Sequence, residues 1–282
     1  MNEILIGMNG RFFPSNWRPA LVEIAFAQEY GFRTIQFPGI ERGLDEEQLG
    51  APIKTIAQAL SQAQITPVME IVVRVGPSGK TASGATPLDL VQVNLPAICG
   101  LPCQCVHWHI RPTERMDEAA IRQIEDGVVP QLEEAVSIAT EHNVKFGIEH
   151  NEPDFHLFGS PETCHRILDA VPQAHLVWDL NHVTLEHLSG FIDLIPRTSM
   201  LHVSDTPLPK VNAHYPLGMG NIDFDSYARA LIKGNFAGPA ILEIGGTPFS
   251  GGFGRDTDEA LLDSKRRFQQ AIEGALGMLN PE

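Results

Sequence analysis

Eight short apolar runs alternate with longer amphipathic stretches from one end of this chain to the other. The runs are read as strands at 4–8, 34–37, 67–73, 105–109, 145–149, 176–179, 200–203 and 240–244, and helices are predicted near 17–30, 46–63, 88–98, 117–142, 161–170, 184–194, 224–232 and 257–278. Two parallel strands need a crossover of about a dozen residues between them, so strands that alternate with helices argue for a parallel sheet. Eight such units are the number that closes a barrel. The expected fold is α/β: a single (β/α)8 barrel filling residues 1–282, with its active site at the C-terminal face of the strands.

Local signals fix several boundaries. Ser160-Pro161-Glu162 reads as an N-cap, a proline at the first helical position and an acid in the first turn. Asp256 to Glu259 has the spacing of a capping box. Pro130 lies inside the 117–142 pattern and predicts a break or kink near Gly127–Pro130. Long loops at 74–86, 206–221 and 245–255 follow predicted strands, which puts them on the C-terminal face as candidates for gating a substrate.

Composition narrows the function. A 43% hydrophobic fraction supports a full core, and a net charge of −15 with no basic stripe opposes nucleic-acid or anionic-membrane partners. The Lys265-Arg266-Arg267 run is short. Four cysteines lack zinc-type Cys-x-x-Cys spacing, no apolar stretch reaches spanning length, and no signal peptide is read at the N-terminus, so a cytoplasmic location is expected.

Four of the predicted strands end on a metal-binding side chain: Glu149, Asp179, His202 and Glu243. A carboxylate at the edge of a closed core is costly to desolvate unless a cation or hydrogen bonds answer it. Three carboxylates and one imidazole suit a single divalent ion, Mn²⁺ or Mg²⁺, with Co²⁺ or Zn²⁺ as alternatives. His182 follows Asp179 by three residues, near the metal, where it would contact a substrate oxygen or a second ion. Asp205 is placed either to orient His202 through its other ring nitrogen or to cap the loop that follows. His214 opens a glycine-containing turn suited to close approach to a ligand.

Cys103, Cys105, His107 and His109 alternate and so share one face of strand four, spaced about 6.6 Å apart, too far for one ion. They read as core thiols with His107 and His109 lining the mouth. Glu70 on strand three faces either the barrel interior or an exposed edge, and Trp17, Trp108, Trp178 and the phenylalanines read as packing residues, with a sugar-face cover the alternative for Trp108 or Phe12.

With Gly147-Ile-Glu149, Asp179-Leu-Asn-His182, Leu201-His-Val-Ser-Asp205, His214-Tyr-Pro-Leu-Gly-Met-Gly-Asn-Ile-Asp-Phe224 and Ile241-Leu-Glu243 in this order, the chain resembles the xylose isomerase-like superfamily of TIM barrels, the sugar phosphate isomerase/epimerase group. The resemblance covers almost the whole chain. It implies that Glu149, Asp179, His202 and Glu243 bind one divalent ion. It further implies that Glu149 and Glu243 form a proton-transfer pair on opposite faces of a sugar or keto-acid substrate passing through an enediolate, and that His182 holds the substrate's terminal oxygens. Barrels of this kind commonly form homo-oligomers. Two departures stand out. Leu208 and Lys210 occupy the neighbourhood of an arginine that follows the strand-seven histidine in the sugar epimerases, with Lys210 a partial substitute, and Gln36 stands near the end of strand two where an acid is frequent. A dehydratase of the inosose type and a non-catalytic sugar-binding barrel remain alternatives. So does an endonuclease-like three-zinc hydrolase, for which His182 and His214 fit, but Asn212 and Glu70 stand where an acid and a histidine are wanted.

Overall fold

Every strand pairs in parallel with its neighbour in sequence, and the eighth closes onto the first. The computed structural model describes residues 3–279. In chain order the elements are β1 (Ile4–Asn9), α1 (Ala20–Glu29), β2 (Thr34–Gly39), α2 (Glu46–Leu49), α3 (Ile53–Ala63), β3 (Thr66–Val75), α4 (Pro87–Gly100), β4 (Cys105–Pro112), α5 (Glu118–Glu141), β5 (Lys145–Glu149), α6 (Pro161–Ala170), β6 (His175–Asp179), α7 (Leu188–Asp193), β7 (Thr198–Val203), α8 (Phe224–Lys233), β8 (Gly238–Leu242) and α9 (Asp258–Leu279). This is the expected (β/α)8 TIM barrel.

The differences from expectation have local causes. The helix predicted over 46–63 is two, because Gly50 ends α2 in the left-handed region at φ 70° and Pro52 then caps α3. The predicted break at Pro130 does not occur. α5 runs unbroken through it, its apolar stripe from Ile121 to Ala139 buried along the whole length, and that burial outweighs the lost backbone bond. Ser160 caps α6 as expected, its hydroxyl accepting from the Thr163 amide.

The strands carry two cores. Outward-facing residues pack against the helices: Trp108 lies edge-on to Phe146 at 4.9 Å, and Trp178 stacks on Phe191 at 6.3 Å. Each buried indole removes on the order of 150–250 Å² from water, about 4–6 kcal/mol of transfer free energy. Trp108 is therefore a packing residue and covers no ligand, and Phe12 is likewise buried, stacked on Phe37 at 5.0 Å.

Inside the barrel, Val68, Cys105, Val177, Met200 and Ile241 form a separate apolar cluster. Two residues further along each of those strands, on the same face, stand Glu70, His107, Asp179, His202 and Glu243. On β5, Gly147 precedes Glu149 by the same step. A Cβ there would lie 2.8 Å from the His175 carbonyl oxygen, so only glycine lets β5 and β6 approach. The strand period of two thus stacks a polar tier directly on an apolar plug, which closes the site from below.

Candidate metal centre

The polar tier draws one residue from every strand: Asn9, Gln36, Glu70, His107, Glu149, Asp179, His202 and Glu243. Glu243 stands one residue past β8, its amide bonded to the Val203 carbonyl, so the strand ladder still fixes it. Glu149, Asp179 and His202 are fully buried, and the Glu243 side chain is 13% exposed. One donor atom from each of these four lies within 4.8 Å of the others. Oxygen ligands held about 2.0–2.6 Å from a divalent ion span roughly that distance across it.

His202 points Nδ1 at both glutamates, 3.1 Å from Glu149 Oε1 and 3.1 Å from Glu243 Oε2. Its Nε2 donates to Gln36 Oε1 at 2.8 Å. Burial opposes a charged imidazole, but Glu149 and Glu243 hold His202 well above the ordinary range. Burial likewise pushes Glu149 and Glu243 up, but His109 and His202 hold Glu149 far below the usual carboxylate range, and His202 brings Glu243 down to about 2. Burial raises Asp179. Glu149 Oε2 and Asp179 Oδ2 are buried against imidazole nitrogens, His109 at 3.1 Å and His107 at 3.4 Å from the first and His182 at 3.2 Å from the second. Three carboxylates crowded at one buried centre repel one another, so the donor set fits a divalent cation.

Gln36, the departure at strand two, orients His202, one of the two tasks open to Asp205. Asp205 takes the other, that of a loop cap: it accepts from the amides of Thr206, Gly218, Gly220 and Ile222 and so ties down the long loop after β7.

Glu70 faces the interior. Its Oε1 lies 3.0 Å from His109 Nδ1, and its Oε2 accepts from Gln36 Nε2 at 3.1 Å. The Asn151 amide nitrogen is spent on the Ile110 and Leu157 carbonyls, so its Oδ1 faces His109 Nε2, 3.2 Å away, as an acceptor. His109 therefore donates from Nε2, and its Nδ1 stands between two carboxylates, 3.0 Å from Glu70 Oε1 and 3.1 Å from Glu149 Oε2. Burial holds His109 well below its ordinary value, and burial together with Glu243 and Glu149 holds Glu70 well above.

His107 Nε2 is 3.4 Å from Glu149 Oε2, beneath the mouth. His182 Nε2 lies 3.2 Å from Asp179 Oδ2, while its Nδ1 donates to the His150 carbonyl at 3.0 Å. His214 Nδ1 donates to the Glu243 carbonyl at 3.0 Å. Lys210 is not brought in. It is exposed in the loop after β7, its carbonyl accepting from Thr206 Oγ1, and the arginines that line the mouth are Arg11, Arg74 and Arg111. Its assignment as a substrate contact is withdrawn.

Above the centre opens a cavity of about 290 Å³ whose lining includes Asn9, Glu70, His109, Arg111, His214 and Glu243. Glu149 does not line it and lies below His109. Sequence reasoning missed Arg111, Asn9, Asn151 and Glu152. Arg111 and Asn9 carried a signal, since each continues the inward-facing period of its strand. Asn151 and Glu152 did not, because they lie in the loop after β5.

A closed parallel barrel with a buried carboxylate–histidine cluster at its C-terminal mouth defines a metal-type TIM barrel. The chain belongs to the xylose isomerase-like TIM barrel family, whose model matches residues 24–272. It is similar in structure to an L-ribulose 3-epimerase (TM-score 0.76, 16% identity, covering 98% of this chain and 97% of that one) and to a D-allulose 3-epimerase from Methylomonas sp. in complex with D-allulose (0.76, 16%, 96% and 98%). It is also similar to an IOLI protein with a bound zinc atom (0.72, 16%, 100% and 100%). No curated protein matches this sequence.

Proposed function

We propose that residues 1–282 form one domain that works as a divalent-metal-dependent isomerase or epimerase on a sugar or small hydroxy-keto compound. The observation that carries this reading is the convergence of Glu149, Asp179, His202 and Glu243 within 4.8 Å, three carboxylates and one imidazole at one centre. These four residues would hold a divalent ion, which would supply Lewis-acid polarisation of a carbonyl and balance the negative charge that develops on the substrate.

The protein's own groups do the rest. Glu149 and Glu243 are ionised at neutral pH, and one takes the proton beside the carbonyl while the other returns it. Glu243 meets the cavity directly. Glu149 acts from below, where His107, His109 and His202 fix its carboxylate. His182 and His214 hold substrate oxygens, and Glu70 and Glu149 together hold the His109 ring. The apolar plug and the loop tied by Asp205 exclude water.

The test is elemental analysis before and after chelation, for wild type and the Glu149→Gln, Asp179→Asn double variant, followed by proton exchange from solvent into candidate substrates. About one equivalent of divalent metal in wild type, lost in the double variant, with exchange that follows the metal, is the expected result. A wild type that takes up no metal under any loading condition overturns the reading.

A further inference from the structure

β3 and β4 run past the level at which the other strands end, and the extension carries charge. On β3 the inward positions are Glu70, Val72 and Arg74; on β4 they are His107, His109 and Arg111. The register pairs Glu70 with His107, Val72 with His109 and Arg74 with Arg111. Arg74 and Arg111 therefore sit side by side at the top of the cavity, and both line it. Like charges on adjacent strands repel, and an anion bound between them relieves that repulsion.

The cavity's third arginine, Arg11, is already neutralised, buried against Glu23 with a second contact to Asp258. Arg111 is held in place by Glu152, 3.0 Å from Nη2, and by the Phe155 ring, 5.1 Å from Cζ. Glu152 balances only one of the two charges. Among the described residues no carboxylate lies within ion-pair distance of Arg74. Arg111 stands about 6–7 Å of strand rise above His109, and about twice that above His107 at the metal tier.

Resting on the isomerase reading above, we propose that the substrate carries an anionic terminus, a phosphate ester or a carboxylate, bound between Arg74 and Arg111 while its carbonyl end meets the polar tier. Two guanidiniums on a fixed strand pair offer the planar donor forks that phosphate and carboxylate accept in bidentate fashion.

Calorimetric titration of the metal-loaded protein with inorganic phosphate, D-allulose, D-allulose 6-phosphate and hydroxypyruvate tests this, with solvent-deuterium exchange into the three organic compounds read by NMR. The same set is run on Arg74→Gln and Arg111→Gln, with the Lys replacements as charge-retaining controls. The expected result is that D-allulose 6-phosphate or hydroxypyruvate binds at least about 30-fold more tightly than D-allulose, a preference that falls about tenfold in either Gln variant and is partly restored in the Lys variants. Preference for the 6-phosphate identifies a phosphate terminus, and preference for hydroxypyruvate a carboxylate. Equal or tighter binding of neutral D-allulose, or an anionic preference untouched by both Gln variants, overturns the proposal. Arg74-dependent binding of phosphate without exchange into any compound sinks the isomerase reading and leaves the anion site standing. Exchange into D-allulose without phosphate binding does the reverse.

Discussion

The two halves of the barrel mouth are built from different chemistry. The β5–β8 half gives Glu149, Asp179, His202 and Glu243, each at or just past a strand end. The β1–β4 half gives Asn9, Gln36, Glu70, His107 and His109, mostly inside strands, and then Arg74 and Arg111 above them. The first half presents charge to a cation. The second sets the proton positions of that centre and faces the incoming ligand. One barrel thus separates the ion-holding task from the positioning and recognition tasks, and the halves are linked by His107 and His109 against Glu149 and by one amide, Gln36, which bonds both His202 and Glu70.

Removing the cation-holding half has the largest expected effect. Glu149→Gln with Asp179→Asn is expected to abolish metal uptake and to lower solvent exchange by at least about 10⁴-fold with the circular dichroism spectrum kept, because the charge stabilisation and one proton carrier go together. Retained exchange breaks the division between the halves.

Glu243→Gln comes next. Exchange is expected to fall by about 10²–10⁴-fold, with metal bound more weakly but still at saturation, since three donors remain. An unchanged exchange rate removes Glu243 from the proton-transfer pair.

Gln36→Leu tests the link. It leaves Nε2 of His202 without its acceptor and is expected to weaken metal binding about 10–100-fold, with exchange recovering at saturating metal. A loss that excess metal does not repair places Gln36 in the reaction itself.

A smaller effect is the pH dependence of metal affinity. His202 is held protonated well above its ordinary value and must lose that proton to bind a cation through Nδ1. Affinity is therefore expected to rise with pH, by up to about tenfold per unit below the raised value, and to be accompanied by proton release. The same shift stabilises the metal-free fold below the ordinary histidine pKa, and that contribution is lost as pH rises through the raised one. Metal affinity flat across neutral pH contradicts the His202 assignment.

Lys210→Ala carries the smallest effect, a change in exchange rate within about twofold, because the side chain stands in solvent away from both halves.

The two halves also differ in how legible they were. A carboxylate or imidazole that closes a strand-like apolar run is visible in a linear pattern, so Glu149, Asp179, His202 and Glu243 could be read together from the sequence. Gln36 and Glu70 could not be placed, since a polar residue amid apolar neighbours fits an inner face or an exposed edge equally well until the sheet closes. Asp205 fits an orienter of His202 or a loop cap equally well from its spacing, and the chain turns after Val203 and sends that carboxylate to four loop amides. Lys210 looked like a substrate contact because a loop's path has no periodicity to follow.

The sequence by itself determined the eight-fold alternation, the barrel it closes and the four strand-end donors, because helix and strand periods and strand ends are local properties of the chain. Only the tertiary structure decided which strand faces look inward together. That brought Gln36 between His202 and Glu70, placed His109 between Glu70 and Glu149, and set Arg74 beside Arg111. Those contacts join residues from different strands, and their energies depend on burial and register that exist only once the barrel has closed.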